Sequence, residues 1–248
     1  MDDAITSGGL RLGAHLARPV AGGRVPGLVL CHGFPSGPRG SVTSGATFPE
    51  LADRIAREAG WAVLTFNFRG TGSSEGDFSI AGWRADQRAA IDTLWARDDI
   101  SGVWIAGTNL GGSLAVRTGA DDERVRGVAA LAAPVNLRDW TRDPARFLEH
   151  ARAMGVMRNP GFPPDVNAWV RGFSELDPLG AARRLPPRPL LVLHGTDDDV
   201  VPVADARALA DAAAPASELR LVHAAGHRLR HDPRAVAALL GWLDRQIT

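Results

Sequence analysis

The sequence predicts a doubly wound α/β fold with a mostly parallel sheet. Short apolar runs that are typical of strands alternate with stretches of helical periodicity, which favours parallel strands joined by right-handed helical crossovers. Inner runs such as residues 103–106 and 190–194 are apolar throughout, as in strands buried on both faces. The chain has 248 residues, 45% of them hydrophobic, which is enough for one large domain with a sizeable core.

Seven strands and five helices are predicted for the body of this fold. The strands cover residues 10–17, 27–31, 62–66, 103–106, 128–132, 190–194 and 219–223. The helices cover residues 48–59, 81–97, 110–119, 203–213 and 233–247. The first helix carries Leu51, Ile55 and Ala59 on one apolar stripe. The last begins at Pro233 after Asp232, which fits an N-cap followed by proline in the first turn.

One region interrupts the alternation of strands and helices. No strand is predicted between residues 134 and 187, which contain the turn-rich run 159–164. Two or three helical stretches are predicted there instead, at residues 144–154, 165–173 and 178–185. We therefore expect a small helical cap at residues 134–187, inserted into a core formed by residues 1–133 and 188–248.

The cap is also expected to roof a substrate pocket, because pockets form where a cap meets the edge of a sheet. Most of its apolar side chains would simply hold the cap onto the body. Four large ones are predicted to bind substrate: Trp140, Met154, Phe162 and Trp169.

Composition excludes several classes of function. The 28 basic residues, all of them arginine, balance 28 acidic ones without a basic run, so we expect neither nucleic acid nor a membrane surface as a partner. Without lysine or tyrosine, Schiff-base and tyrosine acid–base chemistry are excluded. Cys31 is the single cysteine, which excludes an internal disulfide and a cysteine-based zinc cluster.

The expected partner is accordingly a small-molecule substrate or ligand, with no cofactor and no metal. No apolar run reaches the length of a membrane span, and the first residues lack the apolar stretch of a signal peptide. The sequence therefore predicts a cytoplasmic protein, and it leaves a homodimer open.

A tight turn between a strand and a helix stands out near the middle of the chain. Residues 103–106 run into Gly107-Thr108-Asn109-Leu110-Gly111, and a helical pattern follows at once. This strand–turn–helix setting is that of the nucleophile elbow G-x-S-x-G, in which a serine supplies the attacking oxygen. Asn109 stands at the serine position, so the chain has the setting of a hydrolase without its usual nucleophile.

Further motifs along the chain resemble loops of the α/β-hydrolase superfamily, in its serine-hydrolase or esterase-like branch. They are Leu30-Cys31-His32-Gly33-Phe34-Pro35, then His194-Gly195-Thr196-Asp197-Asp198-Asp199-Val200-Val201-Pro202, then Ala225-Gly226-His227. A fourth loop, residues 67–76, resembles the family's D-x-R-G-x-G-x-S loop with Asn67 in place of the aspartate, and is chiefly structural there. The likeness covers nearly the whole chain and implies the α/β-hydrolase fold.

The resemblance implies a role for each matched residue. The backbone N–H groups of Phe34 and Leu110 would form the oxyanion hole, in which one donor typically lowers the barrier by about 3 kcal/mol. Asp198 would be the acid of a catalytic triad and would orient His227, the general base.

Neighbouring residues of the same types are expected to have other roles. Asp197 and Asp199 favour turn or cap positions, because aspartate forms local hydrogen bonds there. His223 and His231 are the alternatives to His227 as the base. Two further histidines are expected to brace the loops that they begin, His32 and His194.

Asn109 changes the mechanism that the resemblance implies. The nitrogen lone pair of an amide is delocalised into its carbonyl group, so Asn109 cannot form an acyl-enzyme, and loss of the serine leaves roughly 10³–10⁴-fold catalysis over water. Ser113, Thr108 and Cys31 are weak substitutes, because each is expected to be buried or turned away from the elbow.

Four explanations of Asn109 remain open at this point. The first is a substitution introduced in the laboratory to trap a complex, and the second is a binding pseudoenzyme that does not turn over its ligand. In the third, the pair His227 and Asp198 acts as a non-covalent general base in a lyase, isomerase or cyclase reaction. In the fourth, Asn109 is hydrolysed to aspartate, the nucleophile that some branches of the family use.

Overall fold

The computed structural model describes residues 3–20, 22–35, 40–43 and 45–247. The strands are β1 (Asp3–Ser7), β2 (Leu10–Ala17), β3 (Val25–Cys31), β4 (Ala62–Phe66), β5 (Ile100–Thr108), β6 (Val125–Leu131), β7 (Leu190–Gly195) and β8 (Ser217–Val222). The α-helices are α1 (Phe48–Ala59), α2 (Ile80–Trp95), α3 (Leu110–Asp121), α4 (Pro144–Ala153), α5 (Val166–Glu175), α6 (Pro178–Ala182), α7 (Val203–Ala212) and α8 (Pro233–Asp244). Short 3₁₀ turns lie at Gly40–Thr43, Arg138–Thr141 and Leu229–His231.

The strands form one sheet in the order β1-β2-β4-β3-β5-β6-β7-β8. Strands β3 to β8 are mutually parallel, and β2 is antiparallel to both of its neighbours, β1 and β4. The predicted fold class, a doubly wound and mostly parallel α/β sheet, is confirmed. Because β5 lies inside the sheet and the parallel strands all end on one edge, the loops that follow β3, β5, β7 and β8 meet there.

Each face of the sheet packs against its own hydrophobic core. Side chains alternate along β3: Val29 joins the core beneath α2, α3 and α7, whereas Leu28 and Leu30 join the core beneath α1 and α8. Trp83 is fully buried in the first core and Trp242 is nearly so in the second. This two-sided burial explains why the inner strands are apolar throughout.

The N-terminal edge strand β1 is an element that the sequence analysis does not predict. Its burial alternates weakly, with Ile5 and Ser7 buried and the other residues exposed. Five polar-rich residues with one large apolar side chain give little strand signal, so the pairing with β2 through the turn at Gly8 and Gly9 defines the strand instead.

Helices α4 to α6 lie between β6 and β7, and the structure describes every residue from 132 to 189 without a strand among them. The aromatic residues of α4 and α5 pack on the first core; Trp169 and Phe173 are buried there. No helix of the described residues is both long and apolar enough to span a membrane.

Candidate active site

The turn after β5 has a backbone conformation that constrains its neighbours. Asn109 has φ 50° and ψ −129°, a strained conformation for a residue with a side chain. A Cβ atom at Gly107 would collide with the backbone of Gly111, and a Cβ atom at Gly111 would collide with the carbonyl oxygen of His32. The two glycines therefore allow the turn to be tight enough to present residue 109 at the sheet edge.

The loops after β7 and β8 bring an acid and a base to this turn. The Asp198 carboxylate lies 2.9 Å (Oδ2) and 3.1 Å (Oδ1) from His227 Nδ1. The Asp198 side chain is fully buried, and its Oδ1 also accepts hydrogen bonds from the amides of Val200 and Val201, both at 2.9 Å. The Asp198 carboxylate is thus held as a hydrogen-bond acceptor facing the imidazole.

The imidazole in turn faces the elbow residue. His227 Nε2 lies 3.1 Å from Asn109 Nδ2. With Nδ1–H donated to Asp198, Nε2 carries the lone pair, and the Asn109 amide donates to it. Asn109, Asp198 and His227 therefore form one continuous chain of hydrogen bonds, and the amide nitrogen occupies the place where a serine hydroxyl would meet the base.

Two backbone N–H groups belong to the loops around Asn109. Leu110 is the first residue of α3, so its N–H has no acceptor within the helix. Phe34 follows β3 in the loop that contacts the turn, where a Cβ atom at Gly33 would touch the Asn109 side chain. Among the described residues, no backbone oxygen accepts from the N–H of Phe34 or Leu110. Both amides are available for a ligand oxygen.

A cavity of about 340 Å³ opens beside Asn109 and His227. Its walls come from four loops and from the start of α1. The lining residues are Gly33, Phe34, Pro35, Gly40, Thr43, Ala46, Thr47, Phe48, Thr108, Asn109, Leu131, Ala132, His227, Arg228, Leu229 and Arg230.

The four cap side chains predicted to bind substrate do not line this cavity. Trp169 is buried and donates its indole N–H to the Phe78 carbonyl at 3.0 Å. Phe162 packs against the first core. Trp140 lies behind the Phe34 ring, 5.7 Å away, in a separate surface groove.

The fourth cap residue, Met154, contacts the body through its backbone, because its carbonyl accepts from the Ser41 amide. The aromatic side chains of α4 and α5 pack against the rings of Phe34 and Phe78. The Phe34 ring therefore lies between them and the cavity. Contact between these four residues and a ligand stays a prediction.

Other candidate nucleophiles are engaged elsewhere. The buried Ser113 hydroxyl donates to the Pro134 carbonyl at 2.6 Å. Burial raises the pKa of the Cys31 thiol to about 12, so it stays protonated. Thr108 reaches the lining of the cavity, but no described side chain that could act as a base lies within hydrogen-bond distance of its hydroxyl.

The hydrogen bonds of the neighbouring aspartates and histidines differ from those of Asp198 and His227. Of the three adjacent aspartates, Asp198 is the one that contacts His227, whereas Asp197 accepts from the Thr196 hydroxyl at 2.9 Å. His194 bonds the Val201 carbonyl at 2.9 Å within the acid loop. The ring of His32 bonds the Gly33 carbonyl at 2.8 Å and accepts the Phe68 amide at 3.2 Å, and burial lowers its pKa to about 4.

The cationic side of the cavity was not predicted from the sequence. Arg228 and Arg230 line it, and they follow His227 almost directly in the chain. The run His-Arg-Leu-Arg was visible in the sequence, but only the 3₁₀ turn Leu229–His231 determines that both arginines reach the cavity. The described residues contain no group of three or more metal-ligating side chains that could hold a metal ion.

The sheet, the elbow and the two loops define an α/β-hydrolase. The sequence model of the Alpha/beta hydrolase family matches residues 28–239. An uncharacterized protein of Mycobacterium tuberculosis is 30% identical over 230 residues, which are 92% of this chain and 71% of that protein. The chain therefore belongs to the Alpha/beta hydrolase family.

Further relatives and solved structures agree with this assignment. The lysophosphatidylserine lipase ABHD12 of Xenopus tropicalis is 29% identical over 67% of this chain, which spans 43% of that lipase. The structure of Est1E from Butyrivibrio proteoclasticus with ferulic acid bound superposes with a TM-score of 0.72 at 19% identity, covering 99% of this chain and 97% of Est1E. The Pyrococcus furiosus esterase Pf2001 gives a TM-score of 0.70 at 19% identity, covering 99% and 91%. At these identities the two structures support the fold alone.

Proposed function

We propose that this chain hydrolyses a small acyl-type carbonyl compound, such as an ester, with water as the nucleophile and without an acyl-enzyme. The observation that carries the proposal is a row of three side chains beside an open cavity. Asp198 Oδ2 lies 2.9 Å from His227 Nδ1, and His227 Nε2 lies 3.1 Å from Asn109 Nδ2. An oriented imidazole with a lone pair on Nε2 is a general base. The amide at residue 109 cannot itself attack.

The reaction follows from the positions of these groups. The Asn109 side chain first turns away from His227 Nε2, and a water molecule takes its place beside the imidazole. The substrate carbonyl oxygen lies between the N–H groups of Phe34 and Leu110, and this water molecule attacks the carbonyl carbon. His227 Nε2 takes one proton from that water, and the two amides stabilise the negative oxygen of the tetrahedral intermediate. The intermediate collapses, the bond to the leaving group breaks, and the leaving oxygen receives the proton from His227. Asp198 stays ionised throughout and stabilises the imidazolium.

Part of the cavity wall is apolar and fits the remainder of such a ligand. The Phe34 side chain is partly exposed there, whereas Phe48, Leu131 and Leu229 are nearly fully buried in the wall. An acyl or alkyl group against the Phe34 ring would remove apolar surface from water, which contributes about 25 cal/mol per Å².

Binding without turnover is a second candidate, favoured by one contact. The Asn109 amide donates to the lone pair on His227 Nε2. A water molecule can reach the base only after this side chain turns away. If the Asn109–His227 hydrogen bond persists with ligand bound, the protein is a binder.

The variant Asn109→Ser tests the scaffold. We expect it to raise kcat/KM on short acyl nitrophenyl esters by at least about 100-fold, since it restores a hydroxyl within reach of the base. The double variant Asn109→Ser with His227→Gln is the control and should lose that gain. An unchanged rate in the single variant would contradict the proposal that His227 acts as a general base beside residue 109.

His227→Gln in the parent chain separates hydrolysis from binding. Any parent activity should fall by about 100-fold or more, because the general base is removed. A parent without activity above buffer would favour the binder. Peptide mass spectrometry across residue 109 tests whether Asn109 is hydrolysed to aspartate, because that reaction adds about one mass unit. A peptide with an intact Asn109 excludes the aspartate nucleophile.

A further inference from the structure

Two arginines line the cavity beside Asn109, the half-buried Arg230 and the exposed Arg228, and neither has a carboxylate partner among the described residues. In the described part of the chain, neither guanidinium has a carboxylate within the 4.0 Å of an ion pair. The undescribed stretch nearest in sequence to the cavity, residues 36–39 and 44, has no acidic residue.

Arg230 is held in place by groups that leave its charge uncompensated. Its Nε donates to the Thr47 hydroxyl at 3.0 Å, and its guanidinium lies 5.6 Å from the centre of the Phe48 ring. Burial and the like charge of Arg228 lower the pKa of Arg230. Burial, together with the charges of the same two arginines, lowers the pKa of His231.

Partial burial of a cation costs free energy unless an anion pairs with it. Most other half-buried arginines among the described residues form an ion pair with a carboxylate of the protein; Arg69, for example, pairs with the buried Asp86. The terminal nitrogens of Arg230 have no described acceptor, so they are available to a ligand in the cavity. A planar guanidinium matches two oxygens of one anionic group.

We propose that this cavity binds a substrate with an anionic oxygen group, a carboxylate or a phosphate, which Arg230 and Arg228 hold while the carbonyl lies beside Asn109. This inference rests on the proposed function for the position of the carbonyl group, and it adds the charge of the substrate. The net charge of the chain is zero, so the attraction is local to the cavity and not a property of the whole surface.

Binding of ketones tests the inference without requiring turnover, because a ketone of this kind has no leaving group. The probes are 5-oxohexanoate, its neutral isostere 6-methyl-2-heptanone, and 4-oxopentyl phosphate. Isothermal titration of the full chain should show one or both anions binding at least about tenfold more tightly than the neutral ketone. The two anions distinguish a carboxylate substrate from a phosphate substrate.

Arg230→Gln should reduce that preference to about threefold or less, while the affinity for the neutral ketone stays within about twofold. Arg126→Gln is the matched control, because the Arg126 guanidinium also lies 5.6 Å from an aromatic ring, that of Trp104, but away from this cavity. Circular dichroism and thermal unfolding of both variants check that the fold is kept.

An anion preference that is absent in the parent, or that survives in Arg230→Gln, overturns the inference. A parent that binds the anions selectively but hydrolyses no ester supports the inference and contradicts the proposed hydrolysis. The two proposals therefore fail in different measurements.

Discussion

Two histidines of the site have opposite environments although both adjoin a glycine in the sequence. The His227 side chain is 16% exposed and faces the cavity between Asp198 and Asn109. The His32 ring is fully buried, with both ring nitrogens engaged by the loop after β3 and by the backbone of the loop after β4. His32 therefore stays neutral and braces the loop that carries the Phe34 amide.

The burial of His32 predicts acid sensitivity of the fold. Its folded-state pKa of about 4 lies below the ordinary value of 6.5, so the unfolded chain binds the proton more readily. This contribution is complete above pH 6.5 and is lost as the pH falls from 6.5 towards 4. Between pH 7 and pH 5 it should lower the free energy of unfolding by about 2 kcal/mol.

Guanidinium unfolding at the two pH values measures this loss. The variant His32→Gln, which keeps an acceptor but does not titrate, should lose less stability over the same interval. His223→Gln is the control, since the His223 side chain is exposed and the loss in this variant should resemble that of the parent. An equal loss in His32→Gln would show that other groups dominate.

The sequence motifs predicted which three polar residues come together at the site. Asn109, Asp198 and His227 lie 29 to 118 positions apart and still meet within hydrogen-bond distance. Their catalytic roles stay a prediction. The cavity walls were not predictable, because a side chain such as Arg230 or Trp140 reaches or misses the cavity according to loop geometry and ring packing, which periodicity does not encode.

Among the elements, the turn from β5 into α3 depends most on one glycine. Gly111→Ala would push a Cβ atom into the carbonyl oxygen of His32, a backbone atom that cannot move without displacing the loop after β3. We expect a loss of at least about 2 kcal/mol of unfolding free energy. The Phe34 donor would move with that loop, so any esterase activity of an Asn109→Ser background should fall as well.

Gly241→Ala in α8 is the matched control for this substitution. A Cβ atom there meets only the end of the flexible Arg245 side chain at 3.7 Å. Alanine has the higher helix propensity, so stability should be unchanged or rise by up to about 1 kcal/mol. Chemical denaturation of both variants compares the two glycines, and equal effects would contradict the close packing at the elbow.

The first residues of helix α8 and strand β5 show which element boundaries can be predicted from local sequence. Helix α8 begins at Pro233 as predicted, and the Asp232 side chain accepts from the Arg234 amide, because capping is a local property of a few residues. Strand β5, in contrast, begins at Ile100, three residues before the predicted start. Its first residues include Ser101 and Gly102, which are weakly hydrophobic and lie at an irregularity between Ile100 and Val103, the residues that pair with β3.

For the molecule as a whole, the helical insertion is tied to the loops around the cavity. The Ser41 amide donates to the Met154 carbonyl, and the Phe78 amide donates to the Val156 carbonyl. The Arg158 guanidinium adds hydrogen bonds to the carbonyls of the loop after β4, at Gly70, Gly72 and Ser74. Since Gly40 and Thr43 line the cavity, the insertion supports one wall through the 3₁₀ turn that contains Ser41.

Arg158→Met tests this attachment, because methionine keeps much of the apolar stem and removes the guanidinium donors. The side chain is largely exposed, so we expect a moderate loss of about 1–2 kcal/mol in unfolding free energy. Hydrogen exchange should rise in residues 67–76 and 154–158 before it rises in the sheet, since local opening precedes global unfolding.

Arg142→Met is the control, because it removes only an exposed ion pair with Asp139 at 2.8 Å, and it should change stability by less than about 0.5 kcal/mol. If both variants leave exchange in these two segments unchanged, the contacts among Ser41, Met154 and Val156 hold the insertion without Arg158, and the arginine is dispensable for the shape of the cavity.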